Sequence, residues 1–139
     1  MMFFLIDHSE SYYKTIAKRK VPSRRSGKFV QIVNYSTNDE YLVLSPKEFS
    51  LFHATIAERF FRLKGNITGS YNEKKDFYTI QDPDWEVIGG GMWAIDSRKK
   101  TLSLNGESQA YGRFSDAGLK EKVNDTEGMA SLTIVIDGK

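Results

Sequence analysis

The strongest periodicity in the chain lies between residues 45 and 65. Ser45-Pro46-Lys47-Glu48 has the form of a capping box: serine as N-cap, proline at the first helical position, and a glutamate placed to reach back. Behind it, Phe49, Phe52, Ile56, Phe60 and Leu63 recur at spacings of three and four, which predicts a helix with one apolar stripe. Gly65 supplies its stop, and His53 falls at the margin of the stripe. Upstream, "KFVQIVNY" (28–35) alternates in the two-residue period of a strand, with β-branched residues that suit burial on much of both faces. "STND" (36–39) reads as a turn and "EYLVLS" (40–45) as a second strand, so 28–45 is predicted to be a hairpin.

The remaining pattern is weaker. Residues 2–6 read as a short strand, and "KTIAKRKVPSRRSGK" (14–28) as a helical turn followed by a loop. Residues 65–84 are polar with scattered aromatics and read as a long loop, with at most a weak strand at 77–80. "WEVIGGGMWAIDSRKKTLSLNG" (85–106) suggests two or three short strands, its apolar run broken by Gly89-Gly90-Gly91 and turned by "DSRKK". Ser115 is a candidate N-cap for a helix through about Val123, and "ASLTIVID" (130–137) closes the chain as a buried strand. This order predicts an α+β fold: a single domain with a mixed sheet of about six strands flanked by two helices. Residues 1–27, a short strand plus a basic loop, read as an extension on a domain over 28–139.

A chain of 139 residues is long enough for one substantial core. It has no cysteine, which excludes disulfides, thiolate metal sites and a cysteine nucleophile. No apolar run approaches the ~18 residues that span a bilayer, and the start lacks the features of a signal peptide, so a cytoplasmic location without membrane attachment is expected. Two histidines, His8 and His53, are too few for a histidine-rich metal site, and no cofactor is expected. The net charge of +2 calls for no polyanionic partner. The stretch 14–28 is nonetheless dense in lysine and arginine and holds no acid. It is either a solvated loop or a surface for nucleic acid or membrane, with only Tyr12 and Tyr13 available for stacking.

Three segments carry candidate chemistry, each beside a purely structural reading. His53 is either a packed histidine at a helix edge or a group that exchanges protons near neutrality. The glycine triplet is not followed by the G-K-[ST] of a P-loop; it is either a bulge or a place where backbone approaches a ligand closely. "ESQAYGR" (107–113) is either a connecting loop or a phosphate cradle of hydroxyl, loop amides and the Arg113 guanidinium.

Taken in order, "FHATI" (52–56), "EVIGGG" (86–91) and "SQAYG" (108–112) resemble the protein phosphohistidine phosphatase (Janus) family. The strand beginning at Lys28 and the closing "SLTIVIDG" also correspond, so the similarity runs from about Lys28 to Asp137. The resemblance implies a metal-free hydrolase acting on a phosphohistidine-containing protein or a small phosphoramidate, built on a small mixed sheet with two helices. It implies His53 as the proton acceptor or nucleophile, Lys28 on the substrate phosphate, and Ser108, Gln109 and Ala110 binding phosphate through hydroxyl and amides. The chain departs from the family pattern at Met92, where an arginine commonly follows the glycines, and at Ser45-Pro46, which stand where a basic residue is common. Arg113 would restore one positive charge; without it, the pocket would be a phosphate-binding module rather than an enzyme. A nucleic-acid-binding protein using 14–28 is the lesser reading.

Overall fold

The computed structural model describes residues 2–50, 52–65 and 67–137; Met1, Leu51, Asn66, Gly138 and Lys139 lie outside the described residues, and with them the glycine that ends "SLTIVIDG". The alternating segment at 28–35 belongs to a longer strand, β2 (Arg24–Asn34), which starts inside the basic stretch. It lies at the centre of a mixed six-stranded sheet with β1 (Phe3–Asp7), β3 (Asp39–Pro46), β6 (Trp85–Asp96), β7 (Thr101–Asn105) and β8 (Thr133–Ile136), in the order β1-β3-β2-β6-β7-β8. The end strands β1 and β8 pair in parallel with β3 and β7, and the inner pairs are antiparallel. β1 therefore makes residues 3–7 part of the same sheet. Between β1 and β2 the chain forms a short helix α1 (Ser9–Ser11), a π-helical segment over Tyr12–Ile16, and a loop.

Because side chains alternate along a strand, each sheet face builds its own core. One face carries Phe29, Leu42, Leu44, Trp93, Leu102 and Leu104 against the short helix α3 (Leu119–Asn124). The other carries Val30, Ile32, Tyr41 and Val43 against helix α2 (His53–Lys64). Burying each of these large apolar side chains contributes roughly 1.5–3 kcal/mol.

The capping box does not form. Ser45 and Pro46 are the end of β3, paired with Lys28 and Gly27 of β2, and the Lys47 amide continues the ladder to the Ser26 carbonyl at 3.0 Å. Glu48 instead accepts a 2.9 Å hydrogen bond from the Tyr13 hydroxyl, and Ser45 Oγ lies 2.7 Å from Ser50 Oγ. Sheet pairing outcompetes the local signal, and α2 begins after Phe52, without a side-chain cap. The inner face of α2 is accordingly His53, Ile56, Ala57 and Phe60, with Ala54 and Phe61 beside them, while Phe52 and Leu63 are 47% and 70% exposed. His53 is thus the first residue of the buried face rather than a residue at its margin.

Three other expectations change. The glycine triplet does not end a strand: β6 runs through it, with Ile88 as an extra residue bulged out between the Gln31–Gly89 and Ile32–Val87 pairs. The polar 65–84 segment contains a small hairpin of β4 (Gly69–Tyr71) and β5 (Tyr78–Ile80), so the weak strand expected there has a partner. Ser115 does not cap α3, which starts after Gly118; its amide is held by the buried Gln31 side chain at 2.7 Å.

Candidate functional site

His53 is placed by two features of the sequence that meet in space. The turn of α2 starting after β3 points the imidazole at β6, where Nε2–H donates a 3.0 Å hydrogen bond to the Gly91 carbonyl. A carbonyl only accepts, so Nε2 carries the proton and Nδ1 carries the lone pair. The residue is 7% exposed. Burial holds its pKa below the ordinary histidine value, the Gly91 bond opposes this, and the positive charge of Lys28 adds to the depression. The imidazole is therefore a neutral base at neutral pH.

The glycines explain how the ring fits. A Cβ on Gly90 would lie 2.6 Å from the Phe29 carbonyl oxygen, 2.8 Å from His53 Cδ2 and 3.2 Å from Ser108 Cβ. A Cβ on Gly89 would lie 2.5 Å from the Arg113 carbonyl oxygen, because the 108–113 segment crosses β6 at this point. The Gly90 amide donates to the Gly112 carbonyl at 3.1 Å. The close backbone approach anticipated at the triplet is thus to the protein's own loop and to the histidine ring.

His53, Lys28, Gln109 and Ala110 line one cleft of about 720 Å³, together with Met92. Lys28 and Met92 are directly paired across β2 and β6, so they share the sheet face below the imidazole. Three of the expected phosphate ligands, Ser108, the Ala110 amide and Arg113, are engaged within the protein. Ser108 is buried, and its hydroxyl accepts hydrogen bonds from the Ala110 and Tyr111 amides at 3.2 and 3.0 Å. It shapes the loop and is not on the cleft wall, and the Ala110 amide is committed to it. The Gln109 amide has no hydrogen-bond partner among the described residues. Arg113 points away: it donates to the Gly106 and Asp137 carbonyls at 2.9 and 2.7 Å, stands 3.8 Å from Asp116, and lies 4.0 Å over the Phe114 ring. It fastens the loop and the C-terminal strand end rather than restoring the charge expected at Met92.

Sequence reasoning did not find the opposite wall. Asn72, Asp76 and Phe77 of the β4–β5 connection and Glu107 complete the cleft. That connection is shaped by Asn72, whose side-chain oxygen accepts from the Asp76 and Phe77 amides at 3.0 and 3.1 Å and whose Nδ2 donates to Asp76. Tyr111 ties it to the 108–112 loop: its hydroxyl donates to the Tyr78 carbonyl at 2.7 Å and accepts from the Tyr78 amide at 3.0 Å. Burial pushes the Tyr111 pKa up to about 12. An asparagine ahead of a tight turn was the available signal, but nothing in the local pattern connected it to His53.

Among the described residues there is no group of three or more histidine, aspartate or glutamate side chains placed to hold a metal ion. No helix among them is long and apolar enough to cross a membrane. Comparison with protein-family models and with curated proteins finds no match.

Proposed function

We propose that the chain is a phosphohistidine-phosphatase-like hydrolase acting on P–N bonds in the cytoplasm. The observation that carries the reading is the Nε2–H bond to Gly91, which leaves a lone pair on Nδ1 of a histidine whose pKa is held low, beside Lys28 in one cleft. In the proposed reaction a water oxygen attacks phosphorus while Nδ1 takes its proton. The P–N bond breaks with its electron pair on the leaving nitrogen, which takes the proton back from Nδ1 and so restores the neutral imidazole. Lys28 and the Gln109 amide hold the phosphoryl oxygens, so positioning and charge stabilisation supply most of the acceleration. His53→Ala should abolish phosphate release from phosphoramidate or a phosphohistidine peptide while the far-ultraviolet circular dichroism is unchanged. Wild-type protein that releases phosphate no faster than buffer overturns the reading.

A second reading has its own observation. Arg113 is diverted to backbone carbonyls, and the carboxylates of Asp76 and Glu107 share the cleft with the single lysine. With so little positive charge to stabilise a transition state, the cleft would hold a phosphorylated partner only through short-range contacts with Lys28 and the Gln109 amide, without turning it over. Titration with inorganic phosphate, followed by the amide resonances of residues 107–112, separates the two: shifts without turnover favour the module, and no shifts count against both.

A further inference from the structure

The face of the sheet that forms the cleft floor continues beyond it uncovered. Three cross-strand rows run side by side: Lys28–Met92–Asn105, then Ser26–Ala94–Ser103, then Arg24–Asp96–Thr101. The middle row is made of small side chains, and Ala94 is exposed. Together with the next row it floors a second open groove of about 530 Å³, walled by Arg19 and Lys47. Alternate strand residues stand about 6.6 Å apart, so the Arg24 row lies roughly 13 Å from the Lys28 row.

The far end of the groove is a cationic surface. Arg19 lies 3.7 Å from Glu48 and Arg24 lies 3.3 Å from Asp96; both arginines are exposed, and water-facing pairs of this kind exchange partners at little cost. Lys47 makes no ion pair among the described residues. Lys20 and Arg98 extend the charge past the groove. Among the described residues the groove offers no exposed ring on which a base could stack: Tyr13 is buried, with Arg19 over its ring at 4.8 Å. Glu48 and Asp96 would repel a uniform run of phosphates, whereas a peptide can place its acids only where the cations stand.

We infer that this groove docks an extended acidic segment of a protein substrate, with carboxylates about four residues from the phosphorylated histidine that enters the His53 cleft. The inference rests on the hydrolase reading for the cleft but uses separate residues. The serine hydroxyls of the middle row are donors and acceptors for the peptide backbone, and Arg24 and Lys47 receive the carboxylates.

Fluorescence anisotropy with a labelled, unphosphorylated peptide carrying glutamates about four residues from a histidine reads the groove alone. Binding should weaken with salt, and by about tenfold in Arg24→Gln/Lys47→Gln, while Arg24→Lys/Lys47→Arg retains it. Ala94→Glu, which adds a carboxylate to the floor without removing a cation, should weaken binding to a similar degree; thermal midpoints check that each variant folds. The inference is overturned if the peptide does not bind, if the variants bind it like wild type, or if glutamates adjacent to the histidine serve equally well. Tighter binding of a labelled oligouridylate, lost in the same variants, overturns it in favour of a nucleic-acid surface. Failure of phosphoramidate turnover with peptide binding intact strikes the hydrolase reading and leaves the groove standing.

Discussion

Gly90→Ala is the sharpest perturbation of the site, because one methyl group meets three separate constraints. Its carbon would sit 2.6 Å from the Phe29 carbonyl oxygen, which the β2–β6 pairing holds in place, and 2.8 Å from the imidazole. Overpacking of this kind costs about 1–3 kcal/mol, and the upper end applies where backbone must move. Alanine also restricts the unfolded chain, which returns roughly 0.4–1 kcal/mol, so the net loss is about 2 kcal/mol. With ~2.1 cal/mol/K of unfolding entropy per residue over 139 residues, this lowers the thermal midpoint by about 7 °C. Gly69→Ala is the control: its Cβ would lie 2.5 Å from the Thr79 carbonyl oxygen and 2.6 Å from the Tyr78 ring, a comparable clash at a residue that makes no contact with His53. The assay is the His53 ring titration followed by NMR beside thermal unfolding. In Gly90→Ala the displaced ring gains solvent, and because burial is the largest cause of its depressed pKa, the titration moves up toward the ordinary value. A Gly90→Ala melting within about 1 °C of wild type, or a Gly69→Ala that moves the titration equally, refutes the reasoning.

Other consequences are simpler to state. Gln31→Leu leaves the Ser115 amide and Glu40, which Gln31 bonds at 2.7 Å each, without their buried partner, and should cost about 2–4 kcal/mol in urea unfolding; a loss below about 0.5 kcal/mol would refute the role. Tyr111→Phe should cost about 1–2 kcal/mol and speed hydrogen exchange of the Tyr78 amide, and unchanged exchange would show that the hydroxyl does not hold the hairpin. His53 and His8 both have folded pKa values below 6.5, chiefly through burial, with the charge of Arg59 adding to the effect at His8. The folded state therefore takes up these protons less readily than the unfolded chain. Stability from this source is complete above pH 6.5 and declines as the pH falls from there through the folded values. Equilibrium unfolding between pH 7.5 and 5 checks this, and a slope unchanged in His8→Asn/His53→Asn would exclude the histidines as its cause.

The strands were legible because their patterns report burial directly: the alternation at 28–35 and the apolar run at 40–45 match two faces that both carry a core. The helix start was not, because Ser45 and Pro46 satisfy two local rules at once, and only the pairing of Ser45 with Lys28 decides between cap and strand. The same register explains the misplaced stripe. Once β3 extends through Pro46, the chain turns over 47–49 and Phe49 leaves the helix to pack beneath the Arg59 guanidinium at 3.9 Å. His53 then moves from the edge of the helix to its inner face. Half of the cleft was readable as residue types in order, from Lys28 to Ala110. The wall from Asn72 to Phe77 was not, because it reaches the site only through contacts such as the Phe77–Tyr111 rings, 4.9 Å apart.

Charge decides what kind of recognition this surface can perform. One lysine and a neutral imidazole face two carboxylates in the cleft, so a phosphate dianion gains little there from long-range attraction. In the proposed reaction its hold would come from short-range contacts with Lys28 and the Gln109 amide, which line the same cleft. The cations that could attract an acidic partner stand one and two rows further along the sheet, at Lys47, Arg19 and Arg24. If the proposed function and docking hold, separating attraction from chemistry in this way makes a small phosphorylated molecule a poorer ligand than a segment long enough to span both regions. The arrangement follows from one register, since the pairing that sets Lys28 beside Met92 also sets Ser26 beside Ala94 and Arg24 beside Asp96.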